Sequence, residues 1–220
     1  MPSPAAARAG RTDRRKSRTR AALIGAAQRI LAQRGSTEVA VQDITEEADV
    51  GLGSFYNHFT SKAELFEEAV LDLLSDFGAA LDAACAGMTD PAEVFAVGIR
   101  LTCRLAGSQP EVARILVLAG PQFTVADRGL APQALRDIVT GVRAGRFIAP
   151  NPALALAVVA GSVLAFVQIR LSGDARTGRL NDQDADDLAA TILTTLGLTR
   201  PDADDVAHRP LPVLAAPQNP

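Results

Sequence analysis

Apolar residues recur every three or four positions along most of this chain, a spacing typical of amphipathic α-helices. A first helix is predicted from about residue 15 to residue 33, and Gly35 ends it. Its apolar face consists of Leu23, Ala27, Ile30 and Leu31. Many alanines and leucines, no tryptophan and a single tyrosine also favour packed helices over sheets. The sequence therefore predicts an all-α fold.

The pattern then changes to two short helices, about Val41 to Ala48 and Leu52 to His58, which are separated by a tight turn at Asp49–Val50–Gly51. Two short helices across a small turn form a helix-turn-helix, whose second helix fits the major groove of DNA. The apolar residues that would hold the pair together are Ile44, Ala48, Val50 and Phe55. The second helix also presents a polar surface with little acid, made of Gly53, Ser54, Tyr56, Asn57 and His58.

Helix signals continue to the C-terminal part of the chain. Ser61-Lys62-Ala63-Glu64 is a capping-box pattern that starts a long helix. Asp90-Pro91 and Asn151-Pro152 are N-terminal signals of later helices, Pro132 opens a helix that ends near Gly145, and a last helix runs from about Asn181 to Gly197. We therefore predict a larger helical C-terminal domain after the helix-turn-helix.

These boundaries divide the chain into four segments. Residues 1–14, rich in alanine, proline, glycine and arginine, are predicted to be a disordered basic arm. Residues 15–64 form the helix-turn-helix domain, and residues 65–200 form a helical domain for ligand binding and dimerisation. Residues 201–220 contain five prolines, and we expect an irregular tail there.

The most apolar stretch carries no charge from Asn151 to Ile169, which is close to the length of a membrane span. It is rich in alanine and lacks aromatic or basic anchors on both sides, so we predict no membrane contact. A helix that is apolar all round must be buried. Ala157, Gly161 and Ala165 are small residues four apart and would let another helix approach closely, as at a subunit interface.

Charge is distributed unevenly along the chain. Residues 1–20 contain seven arginine and lysine residues, Arg18 among them, against one aspartate, whereas the whole chain has a formal charge of −3. A basic end on an acidic body can orient one face toward a polyanion. Its position just before the helix-turn-helix favours contact with DNA phosphates over a solvated tail without a partner.

Few residues of this chain suit catalysis or metal binding. Cys85 and Cys103 form no CxxC pair, and we expect buried, reduced thiols, which suit a cytoplasmic protein. His58 and His208 are the only histidines, so general acid–base catalysis has few candidates. The arginine-rich N-terminus has no apolar segment typical of a signal peptide. We predict no enzyme activity, no metal and no cofactor.

Residues 20–66 resemble the DNA-binding domain of TetR-family (tetracycline-repressor-like) regulators. The segments AALIGAAQRILAQRG and VQDITEEADVGLGSFYNHFTSKAELF carry the resemblance. The family pattern around the recognition helix is close to A-G-V-S-x-G-T-L-Y-x-H-F-x-S-K. This chain matches it at Ala48, Val50, Gly53, Tyr56, His58, Phe59, Ser61 and Lys62. The resemblance implies an all-helical homodimer whose C-terminal domain binds a small effector and dimerises through its last two helices.

Four positions depart from the family pattern. Asp49 stands where the family usually has glycine, in a turn that we expect to need a positive φ, and aspartate tolerates that conformation better than most residues. Gly51 replaces the usual serine or threonine cap. Leu52 replaces a frequent cation and could contact a thymine methyl group. Ala40 replaces a common threonine, which removes a hydroxyl that could cap the helix or contact phosphate.

The resemblance also implies roles for individual side chains. Gln42 lies where the family often contacts a base or a phosphate, and an amide can pair with adenine. Tyr56, His58 and Lys62 resemble positions that contact phosphates, whereas Phe55 and Phe59 are expected in the core. The predicted DNA-binding residues are Arg18, Gln42, Leu52, Gly53, Ser54, Tyr56, Asn57, His58 and Lys62.

Candidates for the effector pocket and the dimer interface come from the C-terminal segments, where ordinary core packing is the alternative for each residue. The pocket candidates are Phe95, Ile99, Cys103, Phe123, Phe147 and Phe166. The interface candidates are Ala157, Gly161, Ala165, Leu188, Ile192 and Leu196.

Together these observations predict a cytoplasmic, sequence-specific transcriptional regulator that binds an inverted-repeat DNA operator as a homodimer. By family habit it would be a repressor that a small apolar effector releases. The alternative is a helical small-molecule-binding or interaction protein whose DNA-binding module is not its main activity.

Overall fold

The described part of the chain is helical throughout, which confirms the predicted all-α class. The structure, a computed structural model, describes residues 4–120, 127–173 and 179–214, with side chains from Arg14 onward except that of Ala119. The helices are α1 Pro4–Arg34, α2 Val41–Glu47, α3 Leu52–Tyr56, α4 Lys62–Ala84, α5 Pro91–Ser108, α6 Pro110–Ala119, α7 Leu130–Arg143, α8 Pro152–Ser172, α9 Asp182–Thr195 and α10 Arg200–Ala207.

The chain divides into two compact units, and the division falls between Leu71 and Asp72, inside α4. The sequence placed this boundary at the start of α4, after residue 64. The core of the first unit extends further because Leu65, Phe66 and Ala69 are all buried in it. We therefore treat residues 1–71 as the first unit and residues 72–220 as the second.

Helix α1 is longer than its apolar pattern predicts. Its buried face includes Leu23, Ala27, Ile30 and Leu31, as expected. The backbone is already helical from Pro4, so the prediction of a disordered arm over residues 1–14 is wrong for residues 4–14. Alanine and arginine are strong helix formers, and a proline in the first turn needs no helical N–H partner.

Three predicted N-terminal caps start helices of the second unit. The Asp90 side chain accepts a hydrogen bond from Ala92 N at 3.0 Å at the start of α5. Asn151 accepts from Ala153 N and Leu154 N at the start of α8. Asn181 and Asp184 form a reciprocal capping box at the start of α9. These local signals fix where each helix begins.

Helix α5 is the central element of the second unit. It packs against α6, α7, α8, α9 and α10. Its buried residues occur on all sides of the helix, and they include Phe95, Val97, Ile99, Cys103 and Leu105. A helix surrounded in this way sets the positions of its neighbours, including those that line the cavity described below.

A buried ion cluster joins α5 to α9. Arg100 Nε donates to Asp186 Oδ1 at 2.7 Å, and both side chains are nearly inaccessible. Arg104 Nη2 donates to both oxygens of the same carboxylate, at 2.8 and 3.0 Å. Arg100 Nη1 also donates to the carbonyl oxygen of Arg209 at 2.8 Å. The cluster therefore fixes α5 to α9 and to the segment that follows α10.

The prediction of an irregular tail after residue 200 is wrong as far as residue 207. Thr199 accepts a hydrogen bond from Asp202 N, and Pro201 lies in the first turn of α10, where proline favours a helix start. Beyond α10, Arg209 pairs with Glu93 at 2.8 Å. Leu211 and Leu214 pack against a cluster of Leu81, Val97 and Leu101. Residues 201–214 thus belong to the second unit, and residues 215–220 lie outside the described part.

Replacing Asp186 by alanine should destabilise the second unit by about 3–5 kcal/mol, because the change leaves the buried Arg100 charge without its carboxylate. The measurement is the free energy of unfolding in a denaturant titration. Asp204→Ala is the matched control, because its pair with Arg200 is exposed, and the loss there should stay within about 0.5 kcal/mol. Equal effects of the two changes would contradict the importance assigned to the cluster.

Candidate nucleic-acid interface and ligand cavity

The turn between α2 and α3 has the conformation expected from the sequence. Asp49 is the only described residue other than glycine with a positive φ, at 53°. Asp49 N donates to Glu46 O at 3.1 Å, and Val50 N donates to Thr45 O at 3.0 Å. These bonds close α2 and turn the chain into α3, where Gly51 is the N-cap without a side-chain hydrogen bond. Ala40, the N-cap of α2, makes no such bond either.

Helix α3 has one buried face and one exposed face. Phe55 is fully buried and packs against the ring of Phe59, with 6.0 Å between ring centroids. Leu52 and Tyr56 lie on the opposite side and are 51% and 62% exposed. A side chain added at Gly53 would meet no neighbour within 4 Å. The helix therefore presents a prominent, open ridge, and it ends at Tyr56 rather than at the predicted His58.

The remaining predicted DNA contacts differ in their accessibility. Gln42 and Asn57 are exposed, and Gln42 Nε2 donates to Glu46 Oε1 at 2.9 Å. Ser54 is half-buried. Lys62 is also half-buried, and its Nζ donates to Val39 O at 2.9 Å. Lys62 thus connects the segment before α2 to the start of α4 through this hydrogen bond.

His58 lies in a basic environment that the sequence motif did not show. Its pKa is lowered from the ordinary value, first by partial burial and then by the charges of Lys16 and Arg20. His58 is therefore mainly neutral at neutral pH, and it can donate one N–H to an acceptor but adds little charge. Positive charge at this place comes instead from α1.

Lys16 and Arg20 are candidate contact residues that the motif-based prediction missed. Lys16 is exposed, and Arg18 is exposed on the same helix. Arg20 donates to Glu68 at 2.8 Å, and its guanidinium carbon lies 5.2 Å from the centre of the Phe59 ring. The spacing of Lys16 and Arg20, four apart on a predicted helix, could have placed them on one face. The family pattern covers the helix-turn-helix and so gave no reason to single them out.

The second unit contains a cavity of about 140 Å³ that is lined by residues of α4, α5, α6, α7 and α8. Its wall is mainly apolar. Leu74, Leu81, Val94, Phe95, Ile99, Leu116, Leu130, Leu156, Val159, Val163 and Leu164 are its larger apolar lining residues. A cavity of this size and character is suited to a small, largely apolar molecule.

The structure places two of the six predicted pocket residues, Phe95 and Ile99, in the cavity wall. Cys103 and Phe166 are buried and are not among the residues that line the cavity. Phe147 does not line it either, and its ring packs against that of Phe95 at 5.6 Å between centroids. Phe123 lies outside the described residues. The apolar pattern of a helix marks all its inward positions and cannot separate those beside a void from those packed in the core.

Close approach of Phe147 explains the glycine inside α7. Gly141 lies inside α7, and a side chain there would overlap the Phe147 ring. Gly145, with a φ of 70°, follows α7 and is the residue that suits a helix end. Glycine is therefore required at position 141 by packing and favoured at position 145 by the backbone conformation.

One side of the cavity is polar. Asp82 from α4 and Gln133 and Asp137 from α7 line it there. Gln133 Nε2 donates to Asp82 Oδ1 at 2.6 Å, and Arg136 Nη2 donates to the same oxygen at 2.7 Å. Burial raises the pKa of Asp137 above its ordinary range, although the neighbouring Arg136 partly offsets this effect. A carboxyl group held in a mainly apolar wall is a candidate for ligand recognition.

The two cysteines are free thiols. Burial raises the pKa of Cys103 to about 12 and that of Cys85, which lines the cavity, to about 11. Both stay protonated at neutral pH and are therefore poor nucleophiles. Among the described residues, no group of histidine, cysteine, aspartate and glutamate side chains could hold a metal ion.

The predicted interface residues divide between two situations. Ala157, Gly161 and Ala165 of α8 are exposed in the protomer, as are the large apolar neighbours Leu154 and Val158. By length and composition alone α8 could also cross a membrane, a criterion that core helices of soluble proteins meet too. A large apolar face exposed along one helix indicates an interaction surface that a partner buries.

The assignments on α9 are wrong for two of three residues. Ile192 and Leu196 are each only 3% exposed and belong to the core of their own unit. Leu188 is half-buried. The exposed positions of α9 are instead Asp182, Gln183, Asp187, Thr191, Thr194 and Thr195. The leucine and isoleucine stripe faces inward because α9 packs against α5 and α10.

Two family models match the chain. The model described as "Bacterial regulatory proteins, tetR family" matches residues 23–69, and "Tetracyclin repressor-like, C-terminal domain" matches residues 90–209. The second match covers more than half of the chain. It includes the cavity residues of α5, α7 and α8 and the cap of α10.

Curated relatives are similar to part of this chain. The HTH-type transcriptional regulator TtgR of Pseudomonas putida is 42% identical over 66 residues, which are 30% of this chain. The HTH-type transcriptional repressor DhaR of a Mycobacterium species is 41% identical over 54 residues, 24% of this chain. The matches span only 31% and 27% of the length of these relatives.

A solved structure is similar to the whole chain. The crystal structure of RolR in complex with the ligand resorcinol has a TM-score of 0.77 and 32% sequence identity. The similarity covers 92% of this chain and 100% of that one. The crystal structure of RolR without ligand has a TM-score of 0.76 and 33% identity. Both units therefore have counterparts in one related protein.

Replacing Asp49 by valine should destabilise the first unit by about 1–2 kcal/mol, because a side chain with a branched Cβ is strained at positive φ. Asp49→Asn is the matched control and should stay close to the parent protein, since asparagine tolerates this conformation. Thermal and denaturant unfolding measure both effects. Equal stability of the valine and asparagine variants would contradict the conformational role assigned to the turn.

Proposed function

We propose that this chain, which belongs to the TetR family of bacterial regulatory proteins, is a cytoplasmic transcriptional repressor that a small effector releases from DNA. The observation that carries the proposal is the exposed ridge of α3, which is supported from below by buried Phe55. A short helix with its apolar side buried and its other side open has the form of a recognition helix. The match of residues 23–69 to the tetR-family model supports the same function.

Charge around the ridge supports DNA as the partner. Lys16 and Arg18 are exposed on α1, and the charges of Lys16 and Arg20 act on His58 at the end of the ridge. Cations beside a recognition helix can contact phosphates, which position the protein without reading sequence. Leu52 and Asn57, both exposed, are then free to contact base edges in the major groove.

The cavity of the second unit supports an effector-binding role for the C-terminal part. It is lined by residues of five helices, α4 among them, and α4 continues into the first unit. RolR, the related protein of known structure, was crystallised with resorcinol, a small aromatic molecule. We therefore propose a small, largely apolar effector. A coupling of about 1–3 kcal/mol between effector and DNA would lower operator affinity roughly 5–150-fold.

The exposed apolar face of α8 supports a homodimer. Ala157, Gly161 and Ala165 form its small-residue stripe, flanked by Leu154 and Val158. Small residues let a second helix approach closely, and burial against another copy would remove this apolar surface from water. Two copies would present two recognition helices, and with a spacing of roughly 34–36 Å they would read an inverted repeat.

The alternative functions are less well supported. An interaction protein without DNA binding has no need for an open recognition ridge flanked by cations. An enzyme would need reactive groups at the cavity, whereas its one thiol there, Cys85, has a raised pKa. Regulation of transcription accounts for both units of the chain.

The operator test compares single variants in gel-shift titrations with the inverted-repeat DNA that flanks the gene. Tyr56→Phe removes one exposed hydroxyl and should weaken binding about 3–10-fold, the usual effect of one lost hydrogen bond. Lys16→Ala should weaken binding to all sequences alike and reduce the salt slope by about 1. Both residues are exposed, so the fold should be kept.

Arg143→Ala is the matched control, because it removes an exposed cation of α7 in the second unit. Its operator affinity and salt slope should equal those of the parent protein. If the parent protein shows no preference for any flanking sequence at low salt and without effector, the proposed function is wrong. If Tyr56→Phe and Lys16→Ala both keep the operator affinity and the salt slope of the parent protein, the DNA contacts assigned to these two residues are wrong.

The dimer test uses Gly161→Arg, which places a charge in the middle of the exposed α8 stripe. Because position 161 is open in the protomer, the variant should fold and yet sediment as a monomer in analytical ultracentrifugation. Ala79→Arg, at an exposed position of α4, is the control and should remain a dimer. A dimeric Gly161→Arg protein would place the interface on another surface.

A further inference from the structure

The polar side of the cavity lies where residues of α4 and α7 face each other. Asp82 and Asp137 carry negative charge there, and Arg136, which is exposed, donates hydrogen bonds to both. Gln133 completes the cluster through its hydrogen bonds to Asp82 and to Gly78 O. The rest of the wall is mostly aliphatic or aromatic, apart from Cys85, Thr102 and Arg128. The Thr102 hydroxyl donates to Gly98 O at 2.7 Å within its own helix.

The acceptors of this cluster differ in how fully they are used. Asp82 Oδ1 accepts from Gln133 at 2.6 Å and from Arg136 at 2.7 Å. Within the described part of the chain, Asp137 accepts only through Oδ1, from Nε and Nη2 of Arg136, both at 3.2 Å. None of the described residues donates to Asp137 Oδ2. The Asp137 side chain is 19% exposed and lines the cavity, and a ligand hydroxyl would give Oδ2 the hydrogen bond that these residues leave open.

We propose that the effector is a neutral, single-ring phenol whose hydroxyl donates a hydrogen bond to Asp137 Oδ2. This inference rests on the proposed function, because it names the ligand of the same cavity. It adds the chemical class of that ligand and the residue that recognises it.

The volume of the cavity is large enough for one aromatic ring. The cavity measures about 140 Å³. An apolar cavity of about 150 Å³ lined by leucine, isoleucine and phenylalanine holds benzene. Leu81, Phe95 and Ile99 provide a comparable lining here. A six-membered ring with a small substituent therefore fits the apolar side and places the substituent at the polar side.

The charges of the wall favour a neutral donor over an anion. A ligand carboxylate would meet Asp82 and Asp137 and be repelled. Arg128, the cation in the wall, already pairs with Asp72 at 3.2 Å. An anion would therefore leave water without gaining a free cation, which is unfavourable in an apolar cavity.

The supply of acceptors favours a hydroxyl over an ammonium group. An ammonium carries three N–H donors and needs a partner for each, whereas a hydroxyl has one donor. Asp137 Oδ2 satisfies one donor, and the oxygens of Asp82 are engaged by Gln133 and Arg136.

The test is a cycle of two ligands and two proteins, measured by calorimetric titration without DNA. Phenol and toluene differ in the hydroxyl, and the parent protein and Asp137→Asn differ in the carboxylate charge. The ratio of phenol to toluene affinity should fall about tenfold in the variant, because a charge-assisted hydrogen bond is lost. Toluene affinity should stay the same, which also shows that the cavity is intact.

Asp76→Asn is the matched control, because it makes the same charge change at an exposed position of α4 outside the cavity lining. Its ratio of phenol to toluene affinity should equal that of the parent protein. An unchanged ratio in Asp137→Asn would overturn the proposal. Tighter binding of benzoate or benzylammonium than of phenol by the parent protein would overturn it as well.

Two further measurements keep the test decisive. If Asp137→Asn does not fold, anisole replaces the variant, since it keeps the ring and the oxygen but has no hydroxyl to donate. Binding of anisole by the parent protein as tight as that of phenol would overturn the proposal. Gly98→Leu should abolish binding of both phenol and toluene, because a side chain at Gly98 projects into open space in the cavity wall.

Retained binding in Gly98→Leu would place the ligand elsewhere and overturn the assignment to this cavity. Failure of the proposed function gives a different result, because a protein that binds no operator can still show the full phenol and toluene cycle. Conversely, normal operator binding with no phenol preference would leave the regulator intact and remove only the effector class.

Discussion

The burial of Phe55 is the interaction on which the DNA-contacting surface depends. Helix α3 has only five residues, and isolated helices shorter than about 12–15 residues are marginal in water. Its conformation therefore comes from the core contact of Phe55 with Phe59 and from the turn at Asp49, not from its own hydrogen bonds. One inward ring also fixes which residues face outward, so Leu52 and Tyr56 are exposed as a consequence of the same contact.

The helices of the second unit are connected by buried or half-buried ion pairs, and they also surround a cavity. Helix α5 is held to α9 by Arg100 and Asp186, and Arg146 donates to both Asp90 and Asp202, at the starts of α5 and α10. The hydrogen bonds from Arg146 are the main reason that the pKa of Asp90 lies below its ordinary value. A cavity lacks the packing contacts that would otherwise join its walls. Ion pairs and caps remote from the void supply this connection, so the helices around it keep their places.

The features that could be predicted from the sequence are those that depend on residues close together in the chain. The helix-turn-helix, the positive φ of Asp49 and the caps at Asp90, Asn151 and Asn181 could all be predicted from short stretches of sequence. The prolines after residue 200 predict an irregular tail, although Pro201 occupies the first turn of a helix. The inward face of α9 and the position of the cavity depend on neighbouring helices that are distant in sequence. Periodicity alone therefore could not separate Ile192, in the core, from Thr191, on the surface.

Asp137 illustrates what an apolar pattern hides. As a charged residue next to Arg136 on α7, it looks like an ordinary solvent-facing side chain in the sequence. In the structure it lines the cavity and is only 19% exposed, and burial raises its pKa. Leaving a carboxyl group in such a wall costs stability that an apolar residue would not. Groups kept in unfavourable surroundings are concentrated at functional sites, because there the cost is offset when a ligand binds.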